Sequence, residues 1–350
     1  MENEISNFIK VWLSVLISLS YCYVIGHKVP NGTIRLVCLL PIISLFLYLP
    51  LHLSTMHLGG PTCFSIAWLA NFKLLLFAFG KGPLSSNPSL YLPHFIASAC
   101  LPINIQEKLS VHTPKDGKKS SEISTLKALL VAIVIHFYDY SDLIHPKIIP
   151  FLYCIQVYVS LELVLAMMGA SASGLGLVIE PQFNEPYLST SLQDFWGRRW
   201  NLVVPSILRP TVYKPTRNLS TYIVGRKWAP IPAILVTFLV SGMMHELVFY
   251  YLGREKPTWE LTCFFVLHGF CLAVEVALKK ATADWWQLPW LISGPLTIGF
   301  MMVTGFWLFL PSLHRCKAFE RSSMEYDALV RFLENASQYF RITMIPTSVY

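Results

Sequence analysis

The sequence predicts an all-α fold, a polytopic bundle of transmembrane helices. Hydrophobic residues make up 54% of the 350 residues and charged residues only 13%, whereas soluble domains carry about 25% charged residues. The mean hydropathy is +0.51. Apolar runs recur along the chain, and each approaches the ~20 residues that a helix needs to cross about 30 Å of hydrocarbon. We therefore interpret residues 1–350 as a single membrane-embedded domain of about eight or nine spans.

Eight apolar runs are long enough to be spans. They are Asn7–Gly26, Ile34–Leu51, Pro61–Phe79, Ile123–Tyr140, Ile148–Gly169, Trp228–Leu252, Trp259–Leu278 and Leu288–Leu310. The first run is longer than the apolar region of a signal peptide and lacks a small-x-small cleavage site, so we expect a retained span. A weaker candidate, Leu90–Ile105, contains Pro93 and Pro102 and is interpreted as interfacial or re-entrant.

The distribution of Lys and Arg in short loops predicts the topology. The segments Gly80–Glu122 and Ala170–Lys227 and the pair Lys279 and Lys280 are basic and fall on one side if the eight spans are correct. The loop His52–Gly60 has no Lys or Arg and falls on the other side. The C-terminal tail disagrees, because it is basic yet falls opposite the basic loops, so either a span is miscounted or the tail is an exception.

Composition also limits the class of function. The net charge of +7 is spread over loops without a nucleic-acid-binding motif, so we expect no nucleic acid partner. The eight cysteines form no C-x-x-C pair and mostly lie in apolar runs, which indicates packing residues, with no disulfide framework and no zinc site. Residues 106–122 are interpreted as a flexible cytosolic loop because their centre is rich in Lys and Ser.

One histidine lies inside a predicted span. His245 follows Ser241-Gly242-Met243-Met244 near the end of Trp228–Leu252. Ionisable residues at membrane depth are costly and are a functional hypothesis by default. Neutral histidine can enter a span and still exchange a proton near pH 7. The alternative is a histidine that packs against a neighbouring helix through a hydrogen bond.

Residues 180–227 form a polar segment between two apolar runs. Thr190 with Gln193 fits a capping box, and Asp194 suits the first turn of a helix. An apolar stripe at three- and four-residue spacing follows, and it predicts one amphipathic helix with a kink at Pro205. The stripe consists of Leu192, Phe195, Trp196, Trp200, Val203 and Ile207. We expect Trp196 and Trp200 to face acyl chains with their N–H groups in contact with water, and an interfacial anchor is the simpler interpretation.

Asn201 directly follows Trp200 and precedes a new apolar stretch. A buried asparagine must satisfy two donors and two acceptor lone pairs. Its amide is suited to polarising a carbonyl group, and it is an uncommon residue for simple filling of space.

The two motifs resemble those of a known family. The motifs are Phe195-Trp196-Gly197-Arg198-Arg199-Trp200-Asn201 with Leu208-Arg209, and Ser241-Gly242-Met243-Met244-His245-Glu246 some 44 residues later. They resemble the plant wax synthase (long-chain-alcohol O-fatty-acyltransferase) branch of the membrane-bound O-acyltransferase superfamily, which includes similar plant sterol O-acyltransferases. The resemblance extends to Ala67–Leu76, Gly80–Leu84, Pro181–Phe183 and the C-terminal apolar segment, and so covers most of the chain.

The resemblance implies transfer of a fatty acyl group from acyl-CoA to a hydroxyl group. The family's catalytic pair corresponds to Asn201 and His245. His245 would then act as the general base towards the alcohol, and Asn201 would donate to the thioester carbonyl or orient the histidine. A thiolate leaves readily, so the chemistry needs no metal or cofactor, and acyl-CoA is a co-substrate. We expect direct transfer from acyl-CoA to a long-chain alcohol or a sterol within the membrane, in the endoplasmic reticulum.

Several other residues have both a functional and a structural interpretation. Arg198, Arg199 and Arg209, with Trp196 and Trp200 beside them, are candidate acyl-CoA-binding residues, and topological charge is the alternative for the arginines. Glu246 is expected either to orient His245 or to form an ion pair. For the other ionisable residues in apolar runs we expect structural roles, with one or two of them pairing; they are His136, Glu162, His268 and Glu275.

Three other classes of function fit the sequence less well. A di-iron desaturase needs clustered histidines, but the ten histidines are dispersed. A soluble-type acyltransferase would show a His-x-x-x-Asp motif, and the nearest match, His136 to Asp139, is one residue short. A lipid transporter is the rival of another class, although its paired broken helices in two halves are not evident. The motifs do not distinguish a fatty alcohol from a sterol acceptor.

Overall fold

The protein is described here by a computed structural model. The structure describes residues 2–85, 91–102, 129, 133, 144–145, 148–173, 182–281 and 288–344. All regular structure within those ranges is helical. The helices are α1 (Glu2–Lys28), α2 (Thr33–Tyr48), α3 (Met56–Cys63), α4 (Asn71–Ala78), α5 (Leu92–Cys100), α6 (Ile149–Ser173), α7 (Leu192–Asp194), α8 (Val203–Leu208), α9 (Lys214–Trp228), α10 (Pro230–Gly253), α11 (Glu260–Ala281), α12 (Trp290–Thr304), α13 (Leu310–Arg315) and α14 (Ala318–Met344).

Seven described helices are long and apolar enough to cross a membrane. They are Asn3–Lys28, Thr33–His52, Met56–Ala78, Ile149–Gly169, Pro230–Gly253, Glu260–Ala281 and Trp290–Arg315. Each coincides with a predicted run, so seven of the eight predicted spans are confirmed as long apolar helices. The eighth, Ile123–Tyr140, and the loop 106–122 lie outside the described residues.

In the described part of the chain, four stretches of π-helix interrupt or extend these helices. They are Phe64–Ala70 between α3 and α4, Phe195–Arg199 after α7, Arg209–Tyr213 between α8 and α9, and Gly305–Phe309 between α12 and α13. Single π-turns inside α-helices are rare and frequently mark functional sites. The wide turn shifts the helix face by one residue and so re-aims the side chains beyond it.

The span Met56–Ala78, which we call the central helix, is the most enclosed element. In its most apolar stretch 78% of the residues are buried, compared with at most 39% for any other span. One face packs in a core with α1 and α2 through Ile66, Ala70 and Leu74. The other faces contact α8 through Leu69 and α10 through Ala67.

The short helix α5 corresponds to the weaker candidate Leu90–Ile105. It has nine residues, too few to cross a bilayer. Buried Lys73 of the central helix donates to the carbonyl oxygens of Ser98 and Leu101 at 2.6 and 2.7 Å. These carbonyls belong to the end of a helix, where partners are otherwise missing, so the lysine holds the helix against the bundle.

The bundle has two distinguishable ends. At the basic end, the Lys280 ammonium donates to the carbonyl oxygen of Lys227 at 3.0 Å, which joins the end of α9 to the end of α11. At the opposite end lies the turn Leu49–Thr55, which we call the elbow. Arg254, just after α10, donates to the carbonyl oxygens of Pro50, Leu51 and Leu53.

The C-terminal tail also lies at the elbow. Arg321 of α14 donates to the carbonyl oxygens of Leu252 and Ser54, and the carboxylate of Glu325 accepts from the backbone N–H groups of Met56 and His57 at 2.6 and 2.9 Å. The tail is therefore at the end of the bundle opposite Lys227 and Lys280, as the span count predicts.

Candidate active site

His245 lies on α10, eight residues before the helix ends at the elbow. Its Nδ1 is 2.7 Å from the carbonyl oxygen of Ser241, one helical turn earlier. A carbonyl oxygen can only accept, so Nδ1 carries the proton. In the neutral ring the other nitrogen, Nε2, therefore keeps its lone pair and is the atom that can take a proton from a substrate.

Aromatic rings from three other elements surround His245. Phe265 of α11 stacks on the imidazole with 4.2 Å between ring centroids. Trp68 of the central helix lies nearly perpendicular to it at 4.9 Å, and Phe309 of the last π-stretch lies at 6.3 Å. We call these three rings the aromatic pocket. They fix the plane of the imidazole and exclude water from much of its surface.

Glu246 follows His245 but points to a different partner. The carboxylate is buried, with 6% of the residue exposed, and Oε1 accepts from the backbone N–H of Thr262 at 3.1 Å. That N–H belongs to the first turn of α11, where backbone donors lack a helical partner. In the described part of the chain neither a contact with His245 nor an ion pair is seen for Glu246.

The polar segment enters the bundle beside α11. The carboxylate of Glu275 accepts from the backbone N–H of Leu192 at 2.9 Å, near the basic end. Deeper in the bundle, the indole N–H of Trp196 donates to Nδ1 of His268 at 3.2 Å. Glu275 and His268 are about 10 Å apart along α11, from the rise of a helix. The segment is therefore inserted and does not lie flat on the membrane surface.

The start of this segment corrects the predicted cap. The N-cap is Ser191, whose side chain accepts from the backbone N–H of Asp194 at 3.1 Å; the predicted box of Thr190 with Gln193 is wrong by one residue. Asp194 then bonds Arg199, with Nε 2.7 Å from Oδ2. The acidic residue completes the cap and also fixes the arginine.

The prediction that the Trp196 N–H contacts water is wrong, because that group lies in a buried chain of hydrogen bonds. Since the indole donates to Nδ1 of His268, this histidine carries its proton on Nε2, which lies 2.8 Å from Oγ1 of Thr304. The threonine hydroxyl in turn donates to the carbonyl oxygen of Phe300 at 2.7 Å. Every donor in the chain has an acceptor, so His268 is held neutral and fixes Trp196. His268 and Glu275 thus pair with other residues and not with each other.

Asn201 lies where the predicted amphipathic helix is broken. Its φ of 39° is in the left-handed region, which asparagine tolerates better than most residues. The break therefore occurs at Asn201; the predicted kink at Pro205 is wrong, because that residue lies in the first turn of α8. Trp200, directly before the break, stacks on Phe195 with ring centroids 5.4 Å apart and does not lie free in the lipid interface.

The amide of Asn201 is unusual in its environment. Only 9% of the residue is exposed, and its Oδ1 is buried without a hydrogen-bond partner in the described structure. No hydrogen bond joins it to His245 within the described residues. The two are linked through the central helix: Val203, two residues after Asn201, packs on Leu69, which is adjacent to Trp68 of the aromatic pocket.

The three candidate arginines have different surroundings. Arg198 is exposed and lines a cleft of about 1160 Å³ near the basic end, together with Arg199, Lys279 and Phe300. Arg199 forms an ion pair with Asp194 and donates hydrogen bonds to the carbonyl oxygens of Asn184 and Glu185. Arg209 is exposed on the π-stretch between α8 and α9 and does not line this cleft.

A packed layer of rings lies between the cleft and the aromatic pocket. Phe300 lines the cleft, and its ring centroid is 4.9 Å from that of His268. Phe264 lies 4.2 Å from His268 and 5.1 Å from Phe265, which stacks on His245. Buried and mostly aromatic side chains, with His268 among them, therefore separate the basic cleft from the candidate base.

Comparisons with known proteins identify the family. A sequence model described as the membrane bound O-acyl transferase family matches residues 179–267, which include Asn201 and His245. The chain is 47% identical to an acyl-CoA–sterol O-acyltransferase 1 of Arabidopsis thaliana, over 93% of this chain and 96% of that protein. It is 45% identical to a long-chain-alcohol O-fatty-acyltransferase of Simmondsia chinensis, over 95% of this chain and 97% of that protein.

The chain belongs to the membrane-bound O-acyltransferase family. It is a multi-pass membrane protein of that family, with the helical fold that the resemblance implies. Within the described residues no group of histidines, cysteines and carboxylates is arranged to hold a metal ion, and all eight cysteines are free thiols.

Sequence reasoning missed the side chains that complete the site of this acyltransferase-family protein. The sequence marks Trp68 only through the family resemblance over Ala67–Leu76, and it marks Phe265 and Phe309 only as residues of apolar spans, in which aromatic residues are common. The pairing of Trp196 with His268 was also missed. The feature that could have indicated them is the presence of polar groups, the indole N–H of Trp68 and the amide of Asn71, within a predicted apolar span.

Proposed function

We propose that the protein transfers a fatty acyl group from acyl-CoA to the hydroxyl of a long-chain alcohol, forming a wax ester, with His245 as the general base. The hydrogen bond between Nδ1 of His245 and the Ser241 carbonyl carries this proposal. It leaves Nε2 free to accept a proton inside an apolar pocket. The identity with long-chain-alcohol O-fatty-acyltransferases over nearly the whole chain supports the choice of substrates.

The proposed reaction is direct transfer between two bound substrates. Nε2 takes the hydroxyl proton as the alcohol oxygen attacks the thioester carbon, which makes the alcohol a sufficient nucleophile. The carbonyl oxygen becomes negatively charged, and a fixed donor stabilises that charge. Collapse breaks the C–S bond, and the imidazolium returns the proton to the departing thiolate. The thioester is already an activated acyl group, so the transfer needs no metal and no organic cofactor.

We assign Asn201 to the same site. Its buried amide with an unpartnered oxygen costs about 1–3 kcal/mol if it stays unsatisfied. This oxygen can only accept, so the hydroxyl of the bound alcohol would satisfy it. Its position two residues before the contact between α8 and the central helix supports a role beside the aromatic pocket.

We infer that the nucleotide part of acyl-CoA binds at the cleft near the basic end. Three cations and two carboxylates line this cleft, and two of the cations are paired, Arg199 with Asp194 and Lys279 with Glu275. Arg198 forms no ion pair in the described structure and is the residue most suited to a phosphate. The packed rings between Phe300 and His245 must then move apart for the acyl chain to reach the base.

A second acceptor, a sterol, is favoured by one specific observation. The 47% identity with a sterol O-acyltransferase covers 93% of this chain. Both reactions need the same base and the same donor, because only the alcohol that enters the pocket differs. We place either reaction in the endoplasmic reticulum with the cleft facing the cytosol, where acyl-CoA is available.

The test is lipid analysis of yeast that lacks its own sterol and triglyceride acyltransferases. Cells expressing the protein are fed fatty alcohols, and both wax esters and sterol esters are measured. We expect wax esters with the wild-type chain and none with His245→Ala, from a loss of about 10²–10⁴-fold in rate. His27→Ala is the matched control, because Nδ1 of His27 makes the same bond to a carbonyl one turn earlier, at an exposed site.

The outcomes distinguish the alternatives. Sterol esters without wax esters would select the sterol acceptor, and no ester of either kind would refute the proposed acyltransferase activity. A His245→Ala variant that accumulates normally and keeps more than about a tenth of the rate would refute the role of the base.

A further inference from the structure

Trp68 lies between the two elements that carry the candidate catalytic residues. It belongs to the π-stretch Phe64–Ala70 of the central helix, and only 2% of it is exposed. Its ring is nearly perpendicular to that of His245. On its other side it contacts Phe64 with 5.5 Å between centroids, and Phe64 packs in the cluster of Leu69 and Val203 that leads to Asn201.

The indole N–H of Trp68 is buried and has no hydrogen-bond partner in the described structure. Two other indoles of the bundle are satisfied: Trp196 donates to His268, and Trp12 donates to the hydroxyl of Thr62 at 3.2 Å. A buried donor without an acceptor costs about 1–3 kcal/mol, and such groups in native structures call for an explanation such as a catalytic role. A bound substrate oxygen would remove that cost.

We propose that Trp68 is a further catalytic residue, whose indole N–H donates to the thioester carbonyl oxygen as that oxygen becomes an oxyanion; this rests on the acyl transfer proposed above. An indole N–H can only donate, so its substrate partner must be an acceptor. The carbonyl oxygen is the atom on which negative charge develops. A preformed donor in a water-excluded site is most effective at such an atom.

The step is balanced with the groups already placed. The alcohol oxygen bonds to the thioester carbon while its proton moves to Nε2 of His245. The electron pair of the carbonyl goes to the oxygen, which accepts from the Trp68 N–H. That pair then re-forms the carbonyl, the C–S bond breaks, and the thiolate receives the proton from His245. Trp68 keeps its own proton throughout.

The test measures steady-state kinetics of purified protein in detergent, with acyl-CoA and acceptor varied separately. The first variant is Trp68→Phe, which removes the N–H and keeps an aromatic ring. The second replaces Trp68 by 3-benzothienylalanine through amber suppression, which exchanges only the N–H for sulfur and preserves the shape of the ring. Trp12→Phe is the matched control, because it deletes an indole N–H from α1, outside the aromatic pocket.

We expect both Trp68 variants to lose about 10²–10³-fold in kcat, the usual cost of one oxyanion donor. KM for acyl-CoA should change little, and the loss should be the same with a fatty alcohol and with a sterol, because the oxyanion is common to both. Trp12→Phe should keep the wild-type kcat.

A different pattern would overturn the proposal. An N–H that only faces the ring of Phe64 would affect the melting temperature and leave kcat per folded molecule unchanged. The benzothienyl variant decides this even if Trp68→Phe does not fold, since its shape is that of the wild type. Wild-type protein that makes no ester refutes the acyl transfer itself, whereas ester synthesis with full-rate Trp68 variants refutes only the role of the indole.

Discussion

At the scale of the residue, the hydrogen bond from His245 to a backbone carbonyl makes the site insensitive to the side chain at position 241. The acceptor is the carbonyl oxygen of Ser241 and not its hydroxyl. The helix itself therefore sets the tautomer, and Nε2 stays available whenever α10 is intact. In many hydrolases a carboxylate has this orienting role. Here the adjacent carboxylate, Glu246, instead binds the first turn of α11.

Asn201 has a conformational role, its positive φ, and a proposed chemical role, its amide. A substitution by glycine distinguishes the two roles. We expect Asn201→Gly to keep the positive φ without strain and to lose the amide, so the protein should accumulate normally. If the amide acts in the reaction, the rate should fall by about 10²–10³-fold.

The double variant of Asn201→Gly with His245→Ala should be scarcely slower than His245→Ala alone, because residues that act as a unit are strongly non-additive. Ester synthesis per folded molecule is the measurement; multiplying losses would show independent roles.

The predicted set of three arginines can be tested by comparing one inside the cleft with one outside it. We expect Arg198→Gln to raise KM for acyl-CoA several-fold with kcat little changed, since loss of a phosphate contact removes binding that is equal in the ground and transition states. Arg209→Gln, an equally exposed arginine away from the cleft, should leave KM unchanged. Kinetics with varied acyl-CoA give both values. Equal effects of the two variants would argue against the cleft as the nucleotide site.

At the scale of the element, the break at Asn201 explains why periodicity predicted the polar segment only in part. The stripe from Leu192 to Ile207 correctly identifies residues that pack inward, such as Phe195, Val203 and Ile207, but Trp200 has an extended backbone and is not helical. Spacings of three and four residues do not distinguish one helix from two short helices whose inner faces align. The break depends on the left-handed conformation of Asn201, and no apolar pattern records it. The depth of insertion depends on Glu275 and His268, which lie far away in the sequence.

The crossing of α10 and α11 is the tightest contact near His245, and glycine makes it possible. A Cβ at Gly242 would lie 2.9 Å from Cα of Thr262 and 3.3 Å from Cβ of Phe265. Because the nearest atom belongs to the backbone, the helices would have to move apart. Small residues at such crossings allow close approach of helices in membranes.

We therefore expect Gly242→Ala to destabilise the protein by about 1–3 kcal/mol, the usual cost of overpacking. It should also lower the rate, because Phe265 stacks on His245. Gly299→Ala on α12 is the control, since a Cβ there would meet no atom within 4 Å. Thermal melting and ester synthesis are measured on both. A Gly242→Ala variant that melts and reacts as the wild type would contradict the tight crossing.

At the scale of the whole molecule, the spans were predicted well because a long apolar run in a membrane protein has few alternatives to a helix. Every backbone group must be paired within the bilayer, and a helix does this within a single segment. Contacts between distant segments were not predictable. The basic tail illustrates this: Arg315 pairs with Glu260, and Arg321 binds carbonyl oxygens at the elbow. These arginines are used in contacts, which accounts for a basic tail at the less basic end.

The contact between the tail and the elbow should respond to pH through Glu325. Burial alone would raise the pKa of this carboxyl, but hydrogen bonds from the His57 side chain and from the backbone N–H groups of His57 and Met56 outweigh it, so the pKa lies below its ordinary value of 4.5. A lowered carboxyl pKa stabilises the fold above the ordinary value, and this stabilisation is lost as the pH falls through the lowered value.

We therefore expect Glu325→Gln to melt at a lower temperature than the wild type at neutral pH, since the amide cannot supply the charged acceptor. Below the ordinary value of 4.5 the difference should shrink as Glu325 of the wild type is protonated. Asp327→Asn is the control, because Asp327 is exposed on the same helix and should show no such difference. Melting in detergent between pH 3 and pH 7 measures all three proteins. A gap that does not shrink at the acid end of this range would contradict the proposed contribution of the charged carboxylate to docking of α14. Only the ionised form makes the charge-assisted bonds to the first turn of the central helix.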